Sequence, residues 1–119
     1  MKYVLLFYGT IEQQQAWEEI SKEARDEQYA QVGRWFMENG PKIGPGNQLQ
    51  PPHTATSVRF KDDGEPMIHD GVFIEGNKII GGYTEINVPD LDEALRMAKT
   101  WPAGGTVEIR PVIEMEMEQ

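Results

Sequence analysis

No cysteine occurs in the 119 residues. That absence excludes disulfides, thiolate nucleophiles and cysteine-bound zinc or iron–sulfur centres. It also fits a reducing compartment. Basic residues are scarce: 11 Lys and Arg stand against 20 Asp and Glu, for a net charge of −9. No cluster of them supplies the basic footprint of a protein that binds nucleic acid or an anionic membrane. Neither is expected as a partner, and the acidity is read as serving solubility. Long apolar runs are missing as well. The opening "MKYVLLFYGT" stops being apolar at Phe7-Tyr8-Gly9, which is shorter than the core of a signal peptide. No stretch approaches the roughly 18 apolar residues of a membrane span. A cytoplasmic location is expected.

What is present reads as one α+β domain over residues 1–119. Residues 2–8 form a β-branched and aromatic strand, apolar on both parities. Thr10 and Gln13 have the spacing of a capping box, and Ser21 restarts a helix up to Asn39-Gly40. Within that helix Gly33 costs about 1 kcal/mol against alanine, which suggests close approach to a sheet. The Gly- and Pro-rich residues 41–52 are expected to be irregular, with a short edge strand near 48–50. Strands follow at 54–60 and 67–69, joined by a turn at Asp63-Gly64, and at 78–88, where Gly81-Gly82 marks a bulge or close contact. Asp90 caps a third helical stretch, with Glu93 at the capping-box position and Leu91, Ala94, Leu95 and Ala98 as its buried stripe. Residues 106–112 are the last strand. This order predicts a ferredoxin-like sheet with two helices on one face. The other face would show some of Tyr3, Leu5, Phe7, Tyr83, Glu85, Glu108 and Arg110. That mixture is too apolar for water and suits a second copy, so a homodimer enclosing a semi-polar cavity is expected.

Several pieces, taken in order, carry a resemblance. They are "KYVLLFYG", "LQPPHTATSVR", "DGVFIEG", "IGGYTEINVPDLDEALRMA" and "VEIRPV". Together they span almost the whole chain, and the chain resembles the YCII-related family, in its DGPF branch. The resemblance implies a dimeric α+β barrel. It also implies a role for the motif aspartate, Asp70, which in better-defined members faces a histidine on the first helix. That position falls near Tyr29 here, so the usual acid–base pair is broken. The motif proline is Val72, Ile74-Glu75 stands where Ala-Glu is usual, and Asn77-Lys78 replaces Lys-Glu. Only Asp70 carries over.

Asp70 is accordingly the candidate acid–base group, since a carboxylate raised toward neutrality by burial can exchange protons with a substrate. Its structural alternative is an Asx turn, the side chain bonding a backbone N–H two residues on. His69 adjoins it, but neighbours on a strand point to opposite faces. His53 follows two prolines that fix its backbone. Arg59 could hold an anion, and the Tyr29 and Tyr83 hydroxyls could reach a cavity wall, with Glu75 beyond the motif. These six are the candidate small-molecule contacts. His53, His69, Asp70 and Glu75 lack tight metal-ligand spacing, so no metal and no cofactor are expected. "GPGNQ" lacks the lysine of a phosphate loop. The reading is a small dimeric protein with an Asp70-centred pocket for an unidentified organic molecule. It acts by acid–base catalysis or as a non-catalytic ligand-binding module.

Overall fold

The computed structural model describes residues 1–72 and 76–115. Strand β1 (Lys2–Thr10) runs into helix α1 (Ile11–Glu19) through a complete capping box. Thr10 Oγ1 accepts from the Gln13 backbone N–H at 3.1 Å, and Gln13 Oε1 accepts from the Thr10 N–H at 2.8 Å. Ser21 then caps helix α2 (Lys22–Glu38), accepting from Ala24 N–H at 3.1 Å. The two helices meet at an elbow around Ile20.

Beyond α2 the chain forms β2 (Ile43–Gln48), then a hairpin of β3 (Thr56–Phe60) and β4 (Pro66–Asp70), and then β5 (Lys78–Asn87), α3 (Leu91–Lys99) and β6 (Thr106–Pro111). The main sheet has the order β2-β5-β1-β6, and its pairs are antiparallel. With the helices crossing between β1 and β2 and between β5 and β6, this is a ferredoxin-like α+β arrangement. The hairpin forms a separate two-stranded sheet inserted between β2 and β5. The edge strand occupies 43–48 rather than 48–50, because Gly46 can lie against β5. A Cβ there would come within 2.5 Å of the Tyr83 carbonyl oxygen. The Gly81-Gly82 expectation holds: Phe7 faces Gly82 and Tyr8 faces Ile80, so Gly81 is the extra residue of a bulge.

The core joins Tyr3, Leu5, Trp35, Ile86, Val88, Ala94 and Met97, with Phe7, Phe36, Ile43, Trp101, Val107 and Ile109 packed against it. Trp35 ties α2 to α3, since its indole N–H donates to Met97 O at 3.1 Å and to Thr100 Oγ1 at 3.0 Å. Trp101 stacks on Phe7 with centroids 4.0 Å apart.

Three expectations are corrected by this packing. Tyr3, Leu5 and Phe7 belong to the helix-covered side, and Val4, Leu6 and Tyr8 take the open one. Alternation could not choose between them, because both parities of β1 are apolar. The open face does carry Tyr83, Glu85, Glu108 and Arg110, by their register with Leu6 and Val4. On α3 the buried positions are Ala94 and Met97, while Leu91 and Leu95 are exposed. Gly33 approaches no sheet, for a Cβ there would have no atom within 4 Å beyond the backbone of its own helix.

Asp90 caps α3 as expected, accepting from Glu93 N–H at 3.0 Å. The Glu93 side chain does not complete the box. It pairs instead with Arg96, Nη2 to Oε1 at 2.7 Å, and with Lys42, which binds α3 to the start of β2. Among the described residues no helix is long and apolar enough to cross a membrane.

Candidate functional site

The sequence candidates fall into three places. The first is the hairpin. Its turn is closed by Lys61 N–H donating to Glu65 O at 2.9 Å and by Glu65 N–H donating to Asp63 Oδ1 at 2.9 Å, so the Asx bond forms at Asp63. The expected Asx bond of Asp70 does not form: its carboxylate makes no hydrogen bond among the described residues. Backbone and hydroxyl contacts hold its neighbourhood instead. Gly71 N–H donates to Ala55 O at 2.7 Å, and Ser57 Oγ donates to Gly71 O at 2.8 Å.

Register sorts the hairpin into two faces. Asp70 lies opposite Thr56, Ile68 opposite Val58 and Pro66 opposite Phe60, on one side. His69 lies opposite Ser57 and Met67 opposite Arg59, on the other. Asp70 and His69 therefore point apart, as strand alternation requires. Both are exposed. His53 is exposed in the short turn Pro52–Thr54 that leads into β3. Glu75 lies outside the described residues. No group of three or more His, Asp or Glu among the described residues could hold a metal ion.

The second place is the open face of the main sheet, where Tyr83 sits on β5 opposite Leu6. Its hydroxyl accepts from Asn47 Nδ2 at 3.1 Å across to the edge strand. Two ion pairs flank it, Lys2 with Glu85 at 3.5 Å and Arg110 with Glu108 at 3.6 Å. Glu108 Oε2 is sealed from solvent without a hydrogen bond.

Tyr29 marks the third place. It lines a cavity of about 440 Å³ at the α1–α2 elbow, together with Gln14, Trp17, Arg25, Gln48 and Pro51. Trp17 meets Tyr29 edge to face with centroids 5.4 Å apart. Gln48 Nε2 donates to the Tyr29 hydroxyl at 3.4 Å, joining the helix to the end of β2. Arg25 reaches back across the elbow, its Nη2 donating to Glu18 O at 2.9 Å and to Ile20 O at 3.5 Å. The helix end orients these carbonyls toward a cation. The Arg25 Nε–H is buried with no acceptor.

Sequence reasoning passed over Arg25, Trp17 and the glutamines because no motif contains them. One signal was there. A helix that ends before Ser21 and restarts after it leaves carbonyls at the break, and a nearby arginine is the natural donor to them.

Chemically, the hairpin offers exposed acid–base groups, the sheet face offers a semi-polar surface, and the elbow offers a concave pocket of mixed polarity. Comparison with known proteins matches the model of the YCII-related domain to residues 1–116. An uncharacterized protein of Rhizobium meliloti (strain 1021) is 32% identical over 116 residues, covering 94% of this chain and 92% of that one. The matched range takes in β1, the hairpin and β6, and the chain belongs to the YCII-related family.

Proposed function

We propose that the protein works in the cytoplasm as a homodimer of the dimeric α+β barrel type. In this reading the open sheet faces of two copies enclose a small-molecule site, and Asp70 serves that site as its acid–base group. The observation that supports it is the uncovered face itself. Val4, Leu6, Tyr8, Ile80 and Tyr83 lie on the side away from the helices, with charged pairs between them. A sheet with an apolar face must bury it against something. His53, Arg59, His69 and Tyr83 are assigned as substrate contacts.

Two measurements test the reading. Light scattering should give twice the 13.5 kDa chain mass, and a single-chain mass at micromolar concentration rejects the dimer. Asp70→Asn should abolish turnover of any substrate found while leaving the melting temperature in place, because the Asp70 carboxylate makes no hydrogen bond among the described residues and the backbone pairing with Thr56 is kept. Unchanged turnover rejects the acid–base role.

A second reading, a non-catalytic ligand-binding module, is favoured by the elbow cavity. Its walls are amides, aromatics, a leucine, a proline, one guanidinium and one carboxylate, with no histidine among the described residues that line it. Such a wall binds and orients without offering an imidazole for proton transfer. A ligand recovered chemically unchanged after prolonged incubation supports this reading over the first.

A further inference from the structure

We propose that the elbow cavity takes a small zwitterion: an amino carboxylate whose carboxylate meets Arg25, whose ammonium meets Glu18, and whose apolar body lies along Trp17. This rests on the ligand-binding reading of that cavity. Four observations carry it.

The first is the state of Arg25. Its guanidinium is fixed by the Glu18 and Ile20 carbonyls through Nη2 alone. A guanidinium has five N–H donors in a planar fork. The Nε–H has no acceptor, although it is shut off from water. With Nη2 held by the carbonyls and Nε shut away, the Nη1 donors are the ones left over among the described residues, and a guanidinium fixed in this way is suited to donate from Nη1 to a carboxylate.

The second is Glu18. Its carboxylate lines the same cavity and, among the described residues, accepts only a long hydrogen bond from Gln14 Nε2, at 3.4 Å. Among the described residues no ion pair joins it to Arg25. The wall thus shows both signs of charge, separated and unsatisfied by each other.

Overall charge is the third. At −9 the molecule repels a simple anion approaching from solution. A zwitterion carries no net charge and avoids that barrier, yet offers a carboxylate locally.

The fourth is the remaining wall. Trp17 and Tyr29 stand perpendicular and give an apolar corner, while Gln48 and Gln50 supply neutral donors and acceptors. A cavity of about 440 Å³ lies within the range of small-molecule sites.

Three probes differing only in charge test the idea on the intact protein: L-phenylalanine, 3-phenylpropionate without the ammonium, and phenethylamine without the carboxylate. Binding is followed at millimolar concentration through the Trp17 indole N–H and Arg25 Nε–H resonances. L-phenylalanine should shift both and bind about tenfold or more tightly than either relative, the usual value of a hydrogen bond to a charged group. Glu18→Gln should weaken L-phenylalanine and narrow its lead over 3-phenylpropionate. That variant keeps the backbone carbonyl that holds Arg25, so it remains folded. Arg25→Gln should abolish the preference, but the elbow can loosen with it, and the wild-type probe series stands without that variant. Equal binding of the three probes at these resonances overturns the zwitterion and leaves a ligand cavity. No shift with any probe overturns the zwitterion and the cavity reading together.

Discussion

Strands β1 and β5 and strands β3 and β4 are both antiparallel pairs built from the same kinds of residue, and their fates differ. In the first pair Leu5 and Ile86 have no exposed surface. In the second, Val58 is 54% exposed, Phe60 68% and Ile68 78%. Both pairs are joined by antiparallel ladders, the β1–β5 ladder interrupted once by the Gly81 bulge. Pairing therefore does not decide burial; what lies over the face does. α2 and α3 cover the β1–β5 face through Trp35, Ala94 and Met97. Among the described residues no element covers the face of the hairpin that bears Val58, Phe60, Pro66 and Ile68. An isolated two-stranded hairpin is marginal in water. The radius of gyration records the overhang: 16.8 Å, against about 13.5 Å for a compact chain of this length.

The largest expected effect tests that contrast directly. Leu5→Ala should destabilise the chain by about 2–5 kcal/mol, through lost burial and the cavity left behind. Ile68→Ala should change unfolding by less than about 0.5 kcal/mol in dilute solution, where no second copy is present. Urea denaturation at two protein concentrations measures both. A large cost for Ile68→Ala in dilute solution would break the comparison. A cost that grows with concentration would sharpen it, by showing that association covers the hairpin.

Glycines divide the same two regions. Gly105, which precedes β6, has φ of +74°, and a Cβ there would lie 2.3 Å from the Tyr8 carbonyl oxygen. Gly64, in the hairpin turn, has φ of +86° and open space around it. Gly105→Ala adds a backbone clash to left-handed strain and should cost about 2–4 kcal/mol. Gly64→Ala should cost about 1 kcal/mol, the strain alone. Equal losses would mean that contact with β1 adds nothing to the conformational term.

Much of this division was legible in the sequence. The caps at Thr10, Ser21 and Asp90 announce themselves because each needs only a hydroxyl or carboxylate beside free N–H groups. The Asp63-Gly64 turn and the Gly81 bulge are equally local. The side of β1 that faces the helices was not legible, because its parities are equally apolar and only Trp35 and Met97, from distant segments, settle the choice. Leu91 and Leu95 misled for a related reason. A helical stripe fixes which residues share a face, but not the rotation at which the helix docks. The elbow cavity was invisible because it depends on Arg25 crossing a break between two helices to reach the Glu18 and Ile20 carbonyls, and on Tyr29 meeting Gln48 at a strand end. Asp70 was the reverse case: a motif named it, while its surroundings depend on a hairpin whose apolar face the chain leaves bare.

The smallest expected effect concerns charge. On the core side Glu93 is gripped by Arg96 and then by Lys42, and its pKa is pulled down from 4.5 to about 2. The two ion pairs fasten α3 to itself and to the start of β2. In the hairpin turn the pair of Lys61 with Glu65, at 3.5 Å, has both side chains largely in water. A carboxylate whose folded pKa is depressed contributes stability above its ordinary value, and that contribution is lost as the pH falls through the folded one. The Glu93 contribution is thus complete above 4.5 and fades toward 2. Glu93→Gln should lower the urea midpoint at neutral pH and lose that deficit only as the pH falls through 4.5 toward 2, so the variant's acid profile is flatter than that of the wild type. Lys61→Ala should leave the profile unchanged, because an exposed pair contributes little to stability. If the two variants flatten the acid profile equally, the grip on Glu93 is no stronger than an ordinary surface contact, and charge does not distinguish the two regions as burial does.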